Sequence, residues 1–473
     1  MSAAGFPSTR PAARAGRVVL GAAACAAALS GAPTQVRAQG NAQANGPYRI
    51  TVREAANQPA PGLQSFAFAE SGGRWLLIGG RRNGFHRTSD RERTFPSRMS
   101  NDSVYVVDPA ANRQWRAPLP PALRNRLRTT NMEFFQDGNQ LYLVGGYGST
   151  CDEDRPDCYQ TFPNLTAVRV ASAIAAVISG RADSLARSMA SITDERMRVT
   201  GGALKKVGRS FYLVFGHNYH TIYQGGVSGV YTHQARRFDI EWAGGLPSIV
   251  RYRAAPVPAP TADSSQFRRR DLNVVEAIRP NGRVGLTVYG GVFTPHDGAW
   301  LNPVYVDSVN AAPRLTVDRR FTQKMNPYEC AQVVMYDRGT RSMLTTLVGG
   351  ISFYYYDASG TLVPSNINNF MPFVNTVTTL VRRADSTTVE FPQANADSLP
   401  ARIGANSVFI PRPGIPIVAG THEVIDFRAL PAGRVMLGWM YGGIRATAPQ
   451  SGELNPTFAS STIYEVWMER TGP

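Results

Sequence analysis

Six times along the chain a polar turn leads into a short apolar run that ends on glycine. Ser71-Gly72-Gly73 precedes Arg74-Trp75-Leu76-Leu77-Ile78 and Gly79-Gly80, and Gln136-Asp137-Gly138 precedes Leu141–Val144 and Gly145-Gly146. Lys206-Val207-Gly208 precedes Phe211–Phe215 and Gly216, and Pro280-Asn281-Gly282 precedes Val284–Tyr289 and Gly290-Gly291. Asp337-Arg338-Gly339 precedes Met343–Val348 and Gly349-Gly350, and Pro431-Ala432-Gly433 precedes Val435–Tyr441 and Gly442-Gly443. Runs this short, bounded by turn residues, read as strands of hairpins. The glycines end each strand where neighbouring backbones crowd and no side chain fits. Around the first copy the pattern predicts four strands: Ser65–Glu70, Arg74–Ile78, Ser103–Asp108 and Gln114–Ala117. One supersecondary unit repeated in this way implies radial or solenoid stacking.

The hairpin, the glycine pair, the loop, and Val104-Tyr105-Val106-Val107-Asp108-Pro109 with Trp115 after it resemble the Kelch repeat. The resemblance implies an all-β fold, a six-bladed Kelch-type β-propeller of four-stranded blades, as in the central domain of galactose oxidase. The first copy matches best, and the third has Phe215-Gly216 in place of the pair. Successive glycine markers at 80, 146, 216, 291, 350 and 443 lie 66, 70, 75, 59 and 93 residues apart. A Kelch unit is nearer about 50, so long inserted loops are implied. The resemblance covers nearly all of the chain after residue 38 and speaks to fold, since propellers host unrelated activities. Galactose-oxidase chemistry needs copper held by tyrosines and histidines, with a Tyr-His pair just before a first strand. Here Tyr219-His220 follows a second strand, so the copper ligands do not carry over and no cofactor is expected.

Residues 1–38 read as a signal peptide: Arg10, Arg14 and Arg17, the apolar Val18–Leu29, and Val36-Arg37-Ala38 at the cleavage position. No Arg-Arg pair points to twin-arginine export. Cys25 raises a lipoprotein alternative, although Ala22-Ala23-Ala24 lacks the expected Leu. The apolar run is too short for a membrane span, and none approaching about 20 residues follows. The mature chain is therefore expected in the periplasm or secreted outside the cell, with 39–47 a linker and 48–473 the propeller. Tyr48–Glu54 alternates as a lone strand. The last repeat offers a hairpin (Val424–Leu430, Val435–Met440) and a third strand at Thr462–Met468, then ends. The N-terminal strand would supply the missing fourth and close the ring. A small helical insertion, Ala173–Ile178 and Ala182–Ala190, joins strands three and four of blade 2. Residues 384–420 read as a Pro-rich insertion in which Ser407–Ile410 and Ile415–Ala419 pair as an extra hairpin.

The formal charge is +16, but Lys205, Lys206 and Lys324 are the only lysines. Arginine skew with abundant alanine fits biased codon usage better than a selected phosphate tract. Four of the arginines fall in the signal segment, leaving 16 − 4 = +12. No basic helix or aromatic-basic motif appears, so no nucleic-acid partner is expected.

Cys151 and Cys158 bracket a short loop and suit a disulfide in an oxidising compartment. A calcium site on Asp152, Glu153, Asp154 and Asp157 would lack the alternating spacing and central glycine of known calcium loops. Cys330 reads as a buried small residue before a strand. In a propeller the loops after the glycine pairs share a face with the segments leading into each first strand. That face gathers Arg81, Arg82, His217, Tyr219, His220, His296 and Arg445 from the first set. It gathers Arg270, Asp271, Tyr328, Glu329, His422 and Glu423, with Asn131, from the second. Arginines, carboxylates and aromatics on one funnel suit a carbohydrate, an anionic small molecule or a protein partner. His217-x-x-His220 with His233 sits on a loop without a Cys or Asp at ligand spacing, so no metal is assigned. No phosphate loop or nucleophile elbow occurs. The expectation is a binding or interaction module. The alternatives are a sugar-acting enzyme of epimerase or mutarotase type on the same face, or a structural cell-surface component.

Overall fold

The computed structural model describes residues 46–85, 95–223, 229–257, 265–294, 298–357, 359–365, 371–393, 399–450 and 454–471. The signal segment, Cys25, most of the 39–47 linker and His296 lie outside the described residues. The fold is all-β, built on five four-stranded sheets and one of five strands, with small two- and three-stranded sheets beside them. Sheet one runs Ala67–Ser71, Arg74–Ile78, Ser103–Asp108 and Arg113–Pro118, each strand antiparallel to the next. Those strands are the four that the apolar pattern marks, within two residues at each end. Sheets two to five follow in chain order, with first strands Glu133–Asp137, Ala203–Val207, Arg270–Ile278 and Ala331–Asp337. Sheet six holds Val408–Pro411, Arg434–Tyr441, Ile463–Arg470 and the N-terminal Tyr48–Glu54. That N-terminal strand pairs antiparallel with the C-terminal one from Tyr48↔Arg470 to Glu54↔Tyr464.

Period-two alternation explains why the second strands read as unbroken apolar runs. Trp75 and Leu77 point one way, into a core shared with Ile410, Tyr441 and Ile463 of sheet six. Leu76 and Ile78 point the other way, against Leu141, Leu143 and Val168 of sheet two. A strand buried on both faces has no polar side to show. The same two-sided burial recurs between sheets two and three, three and four, four and five, and five and six.

The glycine pairs do what the pattern implies. A Cβ on Gly79 would stand 2.7 Å from the Leu127 carbonyl oxygen, and one on Gly80 would stand 2.5 Å from that of Gln64. The close approach lets the amide of the second glycine donate to the next sheet. Gly80 donates to Thr129 (2.8 Å), Gly146 to Val199 (2.8 Å), Gly216 to Arg269 (2.9 Å) and Gly443 to Leu63 of sheet one (2.9 Å).

Two expectations are corrected. The first strand of sheet six is Val408–Pro411, which pairs with Arg434–Tyr441, so the hairpin Ser407–Ile410 with Ile415–Ala419 does not form. Residues 412–433 are an insertion inside the sheet-six hairpin, and Ile425–Asp426 adds a parallel fifth strand to sheet five at Met335–Tyr336. Val424, Ile425, Phe427 and Leu430 are buried there, so the tract carries a core strand's composition without its pairing. In sheet two the helical insertion is Val170–Ile178 and Ala182–Arg187, while Met189 and Ala190 already belong to the fourth strand. Val170, Ala173, Ile174 and Val177, at helical spacing, seat it under sheet one.

Candidate functional site

The segments leading into the first strand of each sheet are joined by backbone hydrogen bonds, one residue from each sheet. The Asn131 amide donates to the Ser65 carbonyl (3.2 Å), Gly201 to Asn131 (3.2 Å) and Asp271 to Gly201 (2.7 Å). Glu329 donates to Asp271 (3.1 Å) and Asn406 to Glu329 (2.8 Å). The Asn406 side chain reaches back to Ser65, with Nδ2 donating to Oγ at 2.8 Å. Ser65, Asn131, Gly201, Asp271 and Asn406 all have φ between 48° and 65°. That left-handed conformation is uncommon outside glycine and most tolerated by Asn and Asp. Ser65, Asn131, Asp271, Glu329 and Asn406 are half-buried, which fits side chains lining a mouth.

Beside this ring Arg270 is buried (3 % exposed). One Nη1 donates to His217 Nε2 (2.8 Å) and to the Tyr219 hydroxyl, and Nη2 donates to the Tyr223 hydroxyl (2.8 Å). Asp271 lies 3.4 Å from its Nε, and the guanidinium packs over the Phe293 ring at 4.9 Å. His217 Nδ1 faces the Thr200 carbonyl (3.3 Å), which can only accept. The imidazole is therefore the neutral Nδ1–H tautomer, accepting from Arg270 at Nε2. Burial and the adjacent guanidinium hold its pKa well below the usual histidine range. Arg270, His217 and Tyr219 thus form a buried hydrogen-bonded cluster in which Arg270 Nε alone lacks a hydrogen-bond acceptor among the described residues, and Arg270 is a core residue rather than the rim arginine its position suggests.

The carboxyls nearby behave differently. Burial and the adjacent Asp271 push the Glu329 pKa up to about 8, and its carboxyl makes no hydrogen bond to any described residue. Asp271 is itself raised by burial, against the pull of Arg270 and a bond from Asn131 Nδ2 to Oδ1 (3.2 Å). Glu133 is 3 % exposed; its Oε1 accepts from the Gly202 amide (2.7 Å) while Oε2 has no hydrogen-bond partner among the described residues. Burial raises it to about 8, with the Glu329 carboxyl contributing. Tyr328, whose ring meets Phe293 at 6.2 Å, is kept neutral by burial and by Asp271.

The remaining expected site residues divide. Arg81 is buried, bonded to Asn83 and the Pro96 carbonyl and stacked over Phe95. Arg82 is exposed and donates to the Arg98 carbonyl (2.7 Å), His220 is exposed beside Asn218 (2.9 Å), and Arg445 is exposed. His217 and His220 therefore have separate partners. His422 and Glu423 do not reach the mouth. They belong to the 412–433 insertion, and the His422 ring meets the carbonyl of Gly208, in the turn at the far end of the sheet-three hairpin (3.3 Å). Their expected position depended on taking Val424–Leu430 as a first strand, and it moves to the opposite end with that correction.

Cys151 and Cys158 are disulfide-bonded, and Cys330 is buried. The loop between the bridged cysteines spends its acids on the protein. Asp152 faces Arg124 (2.9 Å) and Arg128, and Asp154 accepts from the Ser97 amide (2.6 Å) and the Tyr159 hydroxyl (2.6 Å).

Ser65, Glu133, Tyr223 and Asn406 escaped the sequence reading. One signal for the ring was available: Ser65, Asn131 and Gly201 each stand fifteen residues before Gly80, Gly146 and Gly216. The spacing breaks in later repeats, where the first two strands lengthen or an insertion separates them. No protein-family profile matches the chain, and no curated protein sequence does either.

Proposed function

We propose that the protein is an exported, closed six-bladed Kelch-type propeller that binds a hydroxyl-rich small molecule, a carbohydrate, at the mouth of its axis. The glycine-to-carbonyl bond from sheet six to sheet one, the ring through Ser65 and Asn406, and the pairing of the two terminal strands support closure. The disulfide supports an oxidising compartment. One observation carries the ligand class. Tyr328, Glu329 and Asn406 are neighbours through the chain and the Asn406-to-Glu329 backbone bond (2.8 Å), and the protein uses neither the Tyr328 hydroxyl, the Glu329 carboxyl nor the Asn406 side-chain carbonyl in a hydrogen bond among its described residues. Donors and acceptors set beside aromatic rings match a sugar's hydroxyls and its apolar face. An anionic ligand is less well served, because Arg270 and Arg81 are committed inside the protein. Calorimetry of the mature chain against a panel of mono- and oligosaccharides tests the reading. Tyr328→Phe and Asn406→Ala should each weaken the bound sugar by about tenfold. Sugar binding that neither substitution affects would place the site elsewhere.

A protonated Glu329 beside an Arg270-paired Asp271 favours a sugar-acting enzyme as the second reading. A good catalytic acid has its pKa near the working pH. Turnover of the bound sugar, lost in Glu329→Gln, would select the enzyme over the binding module.

A further inference from the structure

We infer that the protein docks on an anionic lipid surface through the tip of the sheet-three hairpin, at the end opposite the mouth. No residue of the sugar site takes part.

The hairpin of Ala235–Ala243 and Leu246–Ala255 outgrows its sheet. Its inner strand pairs with Ser210–Val214 only as far as Phe238↔Phe211, whereas the hairpin's own pairing runs on to Ala243↔Leu246. A two-stranded ribbon therefore continues for roughly 16 Å with no described strand on its inner side. Its base is fixed, because Asp239 accepts from Ser210 Oγ (2.5 Å) and Ile240, Ile249 and Tyr252 pack on the core between sheets two and three. Its tip is bare. Every residue from Glu241 to Leu246 is exposed, and the run Trp242-Ala243-Gly244-Gly245-Leu246 carries no charge. Trp242 is 43 % and Leu246 48 % exposed. Because Trp242↔Pro247 and Ala243↔Leu246 are consecutive pairs, the indole and the Leu246 side chain lie on opposite faces of the ribbon.

Shape and charge choose the occupant. Apolar groups on both faces of a projecting tip suit a fluid surface that closes around it, whereas a protein would need a cleft of matching form. An indole, apolar in body with one polar N–H, is at home in the headgroup layer. A ribbon edge without a partner strand also belongs in that layer, where water satisfies its amides, and not in the hydrocarbon. Arg237 donates to the Ala311 carbonyl (3.1 Å) and Arg283 to that of Ser308 (2.9 Å), which sets the sheet-four turn beside the base of the ribbon. Among the described residues of these turns, the exposed charges are Arg209, Arg251, Arg283 and Arg314 against Glu241. Arg251 pairs with Glu241 (2.5 Å) and Arg209 with the buried Asp239 (3.3 Å), while Arg283 and Arg314 pair with no described carboxyl. A strongly basic chain with such a rim complements the phosphates of anionic lipid. Docked in this way, the protein turns its mouth away from the bilayer.

Co-sedimentation of the mature chain with phosphatidylcholine vesicles, plain or with about 30 % phosphatidylglycerol, tests this. Binding should require phosphatidylglycerol and should fall about tenfold between about 0.1 M and about 0.5 M salt. Leu246→Ser and Trp242→Ser should each weaken it by about tenfold. Phe458→Ser, at an exposed aromatic elsewhere (53 %), should leave it unchanged. No binding to either vesicle overturns the inference, as does equal binding to both, or binding that salt does not weaken. Those arms use the unsubstituted protein and do not depend on any variant's folding. Binding that both tip substitutions leave intact also overturns it. So does a self-associated protein that Leu246→Ser returns to monomer, since the tip would then belong to a second copy of the chain.

Discussion

The two ends of the sheets' first strands use the same kinds of residue to opposite effect. At the mouth, Glu329 and Tyr328 keep hydrogen-bonding groups that no described residue consumes. At the far end the insertion 412–433 folds back and consumes nearly all of them. Glu276 Oε2 accepts from the amides of His422 (2.6 Å) and Glu423 (3.2 Å), and Glu423 accepts from Lys205 (2.7 Å) and from the Glu276 amide (3.0 Å). The His422 ring stands edge-on to Phe135 at 5.6 Å. Glu276 lies six residues beyond Arg270 on one strand, roughly 20 Å away. A carboxyl on an inner strand becomes structural where a loop covers it and available where none does. Loop placement decides the difference, and residue type does not.

The sharpest test of that contrast is Arg270→Ala, because Arg270 sits at the open end yet is wired like the closed one. Removing it strips donors from His217, Tyr219 and Tyr223 and leaves Asp271 without its charge partner. The expected loss is about 3–5 kcal/mol by chemical denaturation. A loss below about 1 kcal/mol would return Arg270 to the solvent-facing mouth.

At the closed end, Glu423→Ala should cost about 2 kcal/mol, since it leaves the Lys205 ammonium and the Glu276 amide without acceptors. Limited proteolysis should then cut within 412–433 faster than in the unsubstituted chain. An unchanged cleavage rate would mean that the insertion is held by its apolar side chains alone.

What the sequence revealed follows the same division. The strands of sheet one, the pairing of the chain ends, the disulfide and the helical insertion were all legible, because each has a local signal in periodicity, spacing or turn chemistry. The mouth was legible only as a direction. Topology brought Arg270, Asp271, Tyr328 and Glu329 together, but the burial of Arg270 depends on Tyr223 and His217, which come from a loop of another sheet. The insertion was misread for a physical reason: Val424–Leu430 is as apolar as a core strand because it packs like one. Composition reports burial, whereas pairing is a non-local property that composition does not carry.

Acidity compares both ends in one experiment. The pKa values of Glu133 and Glu329 are pushed to about 8 and that of Glu276 to about 7, chiefly by burial. A carboxyl raised above its unfolded value contributes stability that is complete below the unfolded pKa and lost as pH rises through the folded one. The melting temperature should therefore fall by several degrees between about pH 5.5 and about pH 8.5. A flat profile over that window would mean that these carboxyls are ionised and solvated in the native protein.

Glu329→Gln isolates the mouth's share of that fall and should have the smallest effect. Glutamine keeps the side chain's volume and removes the charge, so the variant no longer has to hold a proton that the unfolded chain would release. At about pH 8.5 it should melt a few degrees above the unsubstituted protein, and the gain should shrink towards zero as pH falls below about 4, where the carboxyl is mostly protonated in both states. Glu276→Gln at the closed end should not reproduce that gain, because its carboxyl accepts two backbone amides and glutamine would present them with a weaker acceptor. A stabilised Glu329→Gln beside a destabilised Glu276→Gln is the expected pair of differential scanning results. If Glu329→Gln is instead destabilised at about pH 8.5, the mouth carboxylate already has a partner in the free protein, and the contrast between the two ends fails.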